Sequence, residues 1–310
     1  MLKSVLEERR DKMFRFKVEM FFIKTFKWIL MKTPESFRYK FAEGLALLAY
    51  FIIKKRREVT LDNIRKAFPE KEEKKVIRIA KESYKVMIKT FMMSLWVPDT
   101  CGDDNKVKYH NYELFEQAKA QNKGVILASL HMGSFETMQK IALNNELYDV
   151  VKKQKNLLLD KYMNDNRKRT GVKIIYKGSS ATKELVKALK NNKILCLFSD
   201  HYDDGAEVMF FGRKTKASTG VATLSLKYGS PVVLVHNILD ENNVNTIYFD
   251  KILDIQKTND LKKFVEVNTQ IMINEFEELI TKYPEQWMWF HRRWKNYNLY
   301  KKTIIFLEEL

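Results

Sequence analysis

His131 and Glu136 stand five residues apart at the end of the run Gly124-Val-Ile-Leu-Ala-Ser-Leu-His131-Met-Gly-Ser-Phe-Glu136. A histidine steadied by a carboxylate is the pairing that general-base chemistry uses, and free backbone amides beside it would supply an oxyanion site. The spacing sets a condition. Five residues apart, the two side chains diverge by about 140° on a helix and face opposite sides of a strand. They can meet only if the chain bends between them. Gly133 permits the bend, and Ser134 has the character of a helix N-cap whose following amides point back toward the imidazole. A lone histidine at a strand end is also a common structural feature, and that reading stands beside the catalytic one.

The elements that would position this turn are read from periodicity. Val125 to Leu130 is continuous and apolar, as in a strand buried on both faces. Thr137 to Asn145 continues as helix. Asp149 to Val151 is a short strand followed by Lys152, Lys153 and Lys155, which suit an anionic substrate or merely a solvated charge run. A helix over Leu159 to Thr170 carries Arg167, Lys168 and Arg169 in its last turn, and Gly171 closes it. A strand over Val172 to Tyr176, a helix over Ala181 to Lys190 and a buried strand over Ile194 to Phe198 lead to Ser199-Asp200-His201. Val208 to Phe211 opens onto Gly212-Arg213. A helix over Thr219 to Tyr228, a strand over Pro231 to Asn237, an edge strand over Thr246 to Phe249 and a long helix over Leu261 to Lys282 complete the order. Such alternation implies an α/β fold with a mixed, largely parallel central sheet flanked by helices and with sites at strand ends. Upstream, the spacing from Leu61 to Trp96 predicts a long amphipathic helix after the Phe68-Pro69-Glu70 start signal, ended by Pro98; residues 99 to 112 read as loop and Tyr112 to Gln121 as a short helix.

At 310 residues, 45% of them hydrophobic, the chain can bury a full core, and its formal charge of +17 favours anionic partners. Residues 1 to 58 carry about half of that excess. There Val18, Phe21, Phe22, Ile23, Phe26, Ile29 and Leu30 form a broad apolar face beside Lys17, Lys24 and Lys27, with Trp28 suited to headgroup depth. Gly44 to Ile53 is too short to span a bilayer and is closed by Lys54-Lys55-Arg56-Arg57. The expectation is a basic amphipathic, membrane-associating helical segment over 1–58 lying in the interface, followed by a catalytic domain over 59–310. A hairpin packed on the core is the alternative. No secretory signal is evident, and Cys101 and Cys196 have neither disulfide nor metal spacing, which suits an intracellular protein. The ending Tyr283-Pro-Glu-Gln-Trp-Met-Trp-Phe-His-Arg-Arg-Trp-Lys295 mixes tryptophans and cations as a base-stacking patch or a lipid headgroup site would.

Four stretches resemble one family in its own order: Asn63-Ile-Arg-Lys-Ala-Phe-Pro-Glu70, the His131-x4-Glu136 box, Ser199-Asp-His with Phe210-Phe-Gly-Arg213, and Pro284-Glu-Gln-Trp-Met-Trp-Phe-His-Arg-Arg-Trp294. Together they are similar to the lipid A biosynthesis (lauroyl/myristoyl) acyltransferases of the lysophospholipid acyltransferase-like superfamily. The resemblance implies a glycerolipid acyltransferase-like fold attached to the cytoplasmic face of the inner membrane. It implies transfer of an acyl chain from an acyl carrier protein thioester to a hydroxyl of a lipid A precursor, with no cofactor and no metal. His131 would be the base and Glu136 its orienting acid. Arg167, with Arg169 as understudy, would handle substrate, and Asp200 and Arg213 would contribute to binding, although a loop cap and a surface charge are their plain alternatives. Gly133 and Ser134 amides as oxyanion donors follow from the expected helix start rather than from the resemblance. Two other readings remain: a glycolipid or lysophospholipid acyltransferase of the superfamily using acyl coenzyme A, and a basic membrane- or nucleic-acid-binding protein. The latter lacks any nucleic-acid motif, so no nucleic-acid partner is expected. His110, His131, His201, His236 and His291 lack the spacing of a zinc hydrolase.

Overall fold

The computed structural model describes residues 2–295, with side chains from Arg10 onward, so the last fifteen residues of the expected catalytic domain lie outside it. Five helices come first: α1 (Leu2–Met31), α2 (Glu35–Ile52), α3 (Lys54–Ala67), α4 (Glu73–Met93) and α5 (Val97–Cys101). Next come β1 (Val107–His110), α6 (Tyr112–Lys119), β2 (Val125–Ser129), a 3₁₀ helix over Phe135–Leu143, β3 (Leu147–Val151), α7 (Leu157–Arg169), β4 (Lys173–Tyr176), α8 (Ala181–Lys190) and β5 (Ile194–Phe198). The β6 (Ala206–Phe210) and β7 (Arg213–Ala217) hairpin, α9 (Gly220–Tyr228), β8 (Val232–Leu239), β9 (Asn245–Ile252), α10 (Leu261–Lys282) and a 3₁₀ turn over Pro284–Gln286 complete the described chain.

The described residues form a seven-stranded sheet in the order β1-β9-β8-β2-β5-β3-β4, parallel throughout except where β8 meets β9. The chain is therefore α/β with a largely parallel central sheet, as expected. All five residues of β2 are buried, because both faces of the sheet are covered. Ile126 and Ala128 enter one core with Ile79, Ala80, Leu195, Phe276 and Trp289, whereas Val125 and Leu127 enter the other with Phe115, Ile141, Cys196 and Phe249. This two-sided burial fixes β2 at mid-sheet and sets the turn beyond Ser129 at the carboxyl end of the strands.

Several elements differ from the expectations. The long amphipathic helix expected after Phe68-Pro69-Glu70 is α4, which starts at Glu73 and already stops at Met93, before Pro98; ahead of the start signal α3 ends at Ala67, because Pro69 cannot donate to a continuing helix. Pro98 opens α5 rather than ending its predecessor, a position where its missing N–H costs nothing. The segment read as loop contains β1, whose four residues offer too short an alternation to register. That strand takes the sheet edge, and β9 runs inside it between β1 and β8. The helix after the histidine turn is 3₁₀ and begins at Phe135. At the N-terminal side, α3 runs through residue 58, and Asn63 donates from it to the carbonyls of Trp289 and His291 at 2.7 and 2.6 Å.

Helix α1 buries Phe16, Met20 and Leu30 but exposes Phe21, Phe22 and Trp28, each by more than 60%. Its inner face reaches α7, where Asn156 caps the helix with its side-chain oxygen and donates to Glu19 at 2.7 Å. Helix α2 likewise buries Tyr39, Ala42, Ala46 and Tyr50 and leaves Leu48, Phe51 and Ile52 in solvent. Among the described residues, no helix is long and apolar enough to cross a membrane.

Candidate active site

Strands β2 and β5 are parallel neighbours, and their register pairs Ser129 with Phe198, an offset of 69 residues. Carried two residues further, the same offset brings His131 level with Asp200. The Asp200 carboxylate meets His131 twice: Oδ1 lies 2.8 Å from the imidazole Nδ1, and Oδ2 accepts the His131 backbone N–H at 3.1 Å. Trp287 Nε1 donates to Oδ2 at 2.8 Å. Burial alone would push Asp200 up, but His131, His201 and the Trp287 N–H together override it and hold the carboxyl well below the usual range. It is a buried acceptor whose surroundings favour the ionised form.

The carboxylate in contact with His131 is thus Asp200, and Glu136 is engaged elsewhere. The 3₁₀ helix turns Glu136 toward α7, where it accepts from Arg167 Nη2 and from Gln139 Nε2, both at 2.6 Å. Arg167, also held by Asn164 at 3.1 Å, is kept cationic: burial opposes its charge, and Glu136 with Asp149 outweighs that. His131, Glu136, Arg167, Asp149 and Lys152 all line one cleft of about 150 Å³, whose apolar wall includes Phe135, Met138, Leu147 and Phe198. That is small against the ~300–1,000 Å³ of a drug-sized ligand site, so it accommodates reacting groups rather than a whole lipid. Asp149 is pushed up to about 6 by desolvation, which the pull of Arg167 only partly offsets. Cys196 also lines the cleft, but burial raises its thiol well above the ordinary value, and a neutral buried thiol is not a nucleophile.

The amides expected to form an oxyanion site are already occupied. Gly133 N–H donates to the Gln286 carbonyl at 2.9 Å, and Ser134 N–H donates to Asn245 Oδ1 at 3.3 Å. Ser134 precedes the helix without capping it. Phe135 and Glu136, which open the 3₁₀ helix and line the cleft, carry the next amides along. Of the other expected residues, Arg169 is surface-exposed and paired with Asp99 at 3.5 Å. Arg213 sits in the β6–β7 hairpin, donating to the Lys66 carbonyl at 3.2 Å, and does not line the cleft.

The C-terminal tryptophan block is a clamp on the histidine turn. Met132 and Trp287 form an isolated antiparallel bridge, and Met288 N–H donates to the His131 carbonyl at 3.1 Å. Ser83 on α4 donates to the Trp287 carbonyl at 2.6 Å. Trp287, Trp289 and Arg293 are fully buried. Their rings are therefore closed to nucleic-acid bases, and burying each indole contributes about 4–6 kcal/mol at most by area.

Sequence spacing gave no sign of a further arrangement. His201 lies parallel to His131, with centroids 3.9 Å apart and planes within 1°, and His291 stacks on its other face at 3.9 Å. Ligand atoms of His131, Asp200 and His201 lie within 4.8 Å of one another. Parallel imidazoles direct their lone pairs along parallel planes, however, and both Asp200 oxygens already accept hydrogen bonds. The set suits a hydrogen-bonded pair better than converging ligation of an ion.

The profile of the family described as "Bacterial lipid A biosynthesis acyltransferase" matches residues 8–296. The chain belongs to that family. It is also 22% identical over 277 residues to the lipid A biosynthesis lauroyltransferase of Escherichia coli (strain K12), covering 86% of this chain and 88% of that one. In this family member the His-x4-Glu box is divided between two pairs, His131 with Asp200 and Glu136 with Arg167; His131, Glu136 and Arg167 line one cleft, and Asp200 is buried against His131.

Proposed function

We propose that this acyltransferase moves a fatty acyl group from an acyl carrier protein thioester to a hydroxyl of a lipid A precursor, with His131 as general base held by Asp200. The observation that carries the reading is the 2.8 Å contact between a buried, ionised Asp200 and Nδ1 of His131, which lines a cleft together with Arg167. An ionised carboxylate on Nδ1 fixes the proton there and leaves Nε2 as the basic nitrogen. Nε2 takes the acceptor hydroxyl's proton as the oxygen attacks the thioester carbonyl. Collapse of the tetrahedral intermediate breaks the carbon–sulfur bond, and the departing thiolate takes the proton from the imidazolium. Arg167, kept charged and aimed by Glu136, offers positive charge to the developing oxyanion. No covalent acyl-enzyme and no cofactor take part.

The excess of positive charge suits three anionic partners: the carrier protein, a bis-phosphorylated acceptor and the headgroups of a membrane. The exposed Phe21, Phe22 and Trp28 of α1 and the exposed apolar residues of α2 support attachment in the interface at the cytoplasmic face of the inner membrane. Combined substitution of Phe21, Phe22 and Trp28 by serine is expected to weaken flotation with vesicles of anionic lipid at least about tenfold, since each ring withdrawn removes roughly 1.5–3 kcal/mol of burial. Unchanged flotation would reject attachment through this face.

The direct test is mass spectrometry of a tetra-acylated lipid A precursor incubated with the purified protein and carrier-protein thioesters of several chain lengths. The expected result is one added acyl mass, with the best thioester giving the preferred length. Transfer only from acyl coenzyme A, or only to lysophospholipids or glycolipids, would replace the donor or the acceptor in this proposal.

A further inference from the structure

Two of the three stacked imidazoles, His201 and His291, stand outside the proton-transfer scheme. His201 follows Asp200 directly and lies flat on His131, while His291 covers the opposite face of His201. His291 comes from the C-terminal block, whose carbonyl at that residue is held by Asn63 at 2.6 Å. The far rings are therefore fixed by two separate parts of the fold. Phe135 meets the His131 ring edge-on at 4.9 Å, and Phe198 lies tilted against it at 4.8 Å. His201 Nε2 is buried without a hydrogen-bond partner and stops 3.8 Å short of Asp200 Oδ2. What His201 offers His131 is its face.

On the reading that His131 is the base of acyl transfer, we infer that His201 is a positioning residue whose ring fixes the plane of His131, keeping Nδ1 on Asp200 and Nε2 toward the acceptor. A flat neutral ring also suits the imidazolium that forms as the hydroxyl proton arrives, because its π face attracts a cation. A second cation there would repel it. Burial first, and then His131 itself, push His201 well below the ordinary histidine range, and the same two causes lower His291. The charged and titratable groups facing His201 are His131 on the β2 turn, Asp200 on its own loop, and His291 and Arg293 on the C-terminal block.

The test compares His201→Phe, which keeps a flat ring and can never be charged, with His201→Gln, which can bond Asp200 but has no face, and with His201→Ala. For acyl transfer, kcat of His201→Phe is expected within about threefold of wild type, and kcat of the other two to fall about tenfold at unchanged KM. A purely structural role would lower the melting temperature and leave kcat of the folded protein intact. Histidine-labelled protein gives a readout independent of turnover: ring shielding of the His131 Cε1 proton is kept in His201→Phe and lost in His201→Ala. Glutamine matching or surpassing phenylalanine, or a His131 signal indifferent to all three changes, would overturn the inference. Absence of turnover in wild type would count against the acyl-transfer reading instead, and the proton signal would still decide the stack.

Discussion

His131→Ala is expected to lower kcat for acyl transfer about 10³-fold or more, and Asp200→Asn by a comparable factor although it changes a single atom. General-base catalysis contributes roughly 10²–10⁴, and loss of the orienting acid in such a pair can forfeit nearly all of it. The Asp200 effect arises from where its two oxygens point. Oδ2 accepts from Trp287 Nε1 and from the His131 backbone, both obligatory donors. An asparagine must therefore turn its carbonyl oxygen to that side and present its NH₂ to His131 Nδ1. Nδ1 becomes the acceptor, the ring proton moves to Nε2, and the base can no longer accept a proton. Glu136→Gln acts differently. It leaves Arg167, only 14% exposed at its side chain, without its charged partner, so it is expected to cost about 3 kcal/mol of stability together with a fall in kcat. The measurement is kcat and KM at several pH values for the three variants, beside their melting temperatures. If Asp200→Asn kept more than a tenth of wild-type kcat while Glu136→Gln abolished turnover at unchanged stability, the orienting role would pass to Glu136.

The sequence exposes the members of these pairs but not which of them meet. His131 is legible because an apolar run ends in a glycine turn, a purely local signal. Its partner arrives through the alignment of β2 with β5, 69 residues away, and parallel register is set by long-range packing that local periodicity does not encode. Both strand-end motifs are visible in the sequence as apolar runs that open onto Ser-Leu-His131 and Ser-Asp200; what is hidden is that they lie side by side. Arg167 is marked by the basic last turn of its helix, but its pairing with Glu136 depends on a 3₁₀ helix that replaces the expected α-helix. The tryptophan-rich ending reads as a surface for bases or headgroups because aromatics and cations look alike wherever they lie. Only the fold shows Trp287 turned inward to Asp200. Strand β1 escapes notice because four residues with two apolar positions carry almost no period, whereas α8, β5 and α10, each with a long or two-sided apolar pattern, keep their expected bounds.

Gly133→Ala is expected to destabilise the protein by about 3 kcal/mol, lowering Tm by roughly 5 °C, and to remove most of the activity of the fraction that still folds. Two costs add at this position. Its φ of +55° is a left-handed conformation that costs an L-residue roughly 1–2 kcal/mol. A Cβ there would also lie 2.3 Å from the Asn237 carbonyl oxygen and 2.6 Å from its carbon, which are backbone atoms of β8. Strand β8 is bonded on one side to β2 and on the other to β9, so it cannot retreat, and the turn must give way. The turn also carries the His131 carbonyl that accepts from Met288 and the Gly133 amide that donates to Gln286, so a shift that clears the methyl group strains the C-terminal clamp. Trp287 and its bond to Asp200 ride on that clamp. The activity loss is therefore expected to exceed the loss that the melting temperature alone explains. Gly44→Ala is the control: a Cβ there meets nothing within 4 Å, and in mid-helix alanine is favoured by up to ~1 kcal/mol. A Gly133→Ala protein that melts within about 1 °C of wild type and keeps its kcat would mean that the turn is looser against β8 than the 2.3 Å approach implies, and the tight coupling of His131 to the clamp would fall with it.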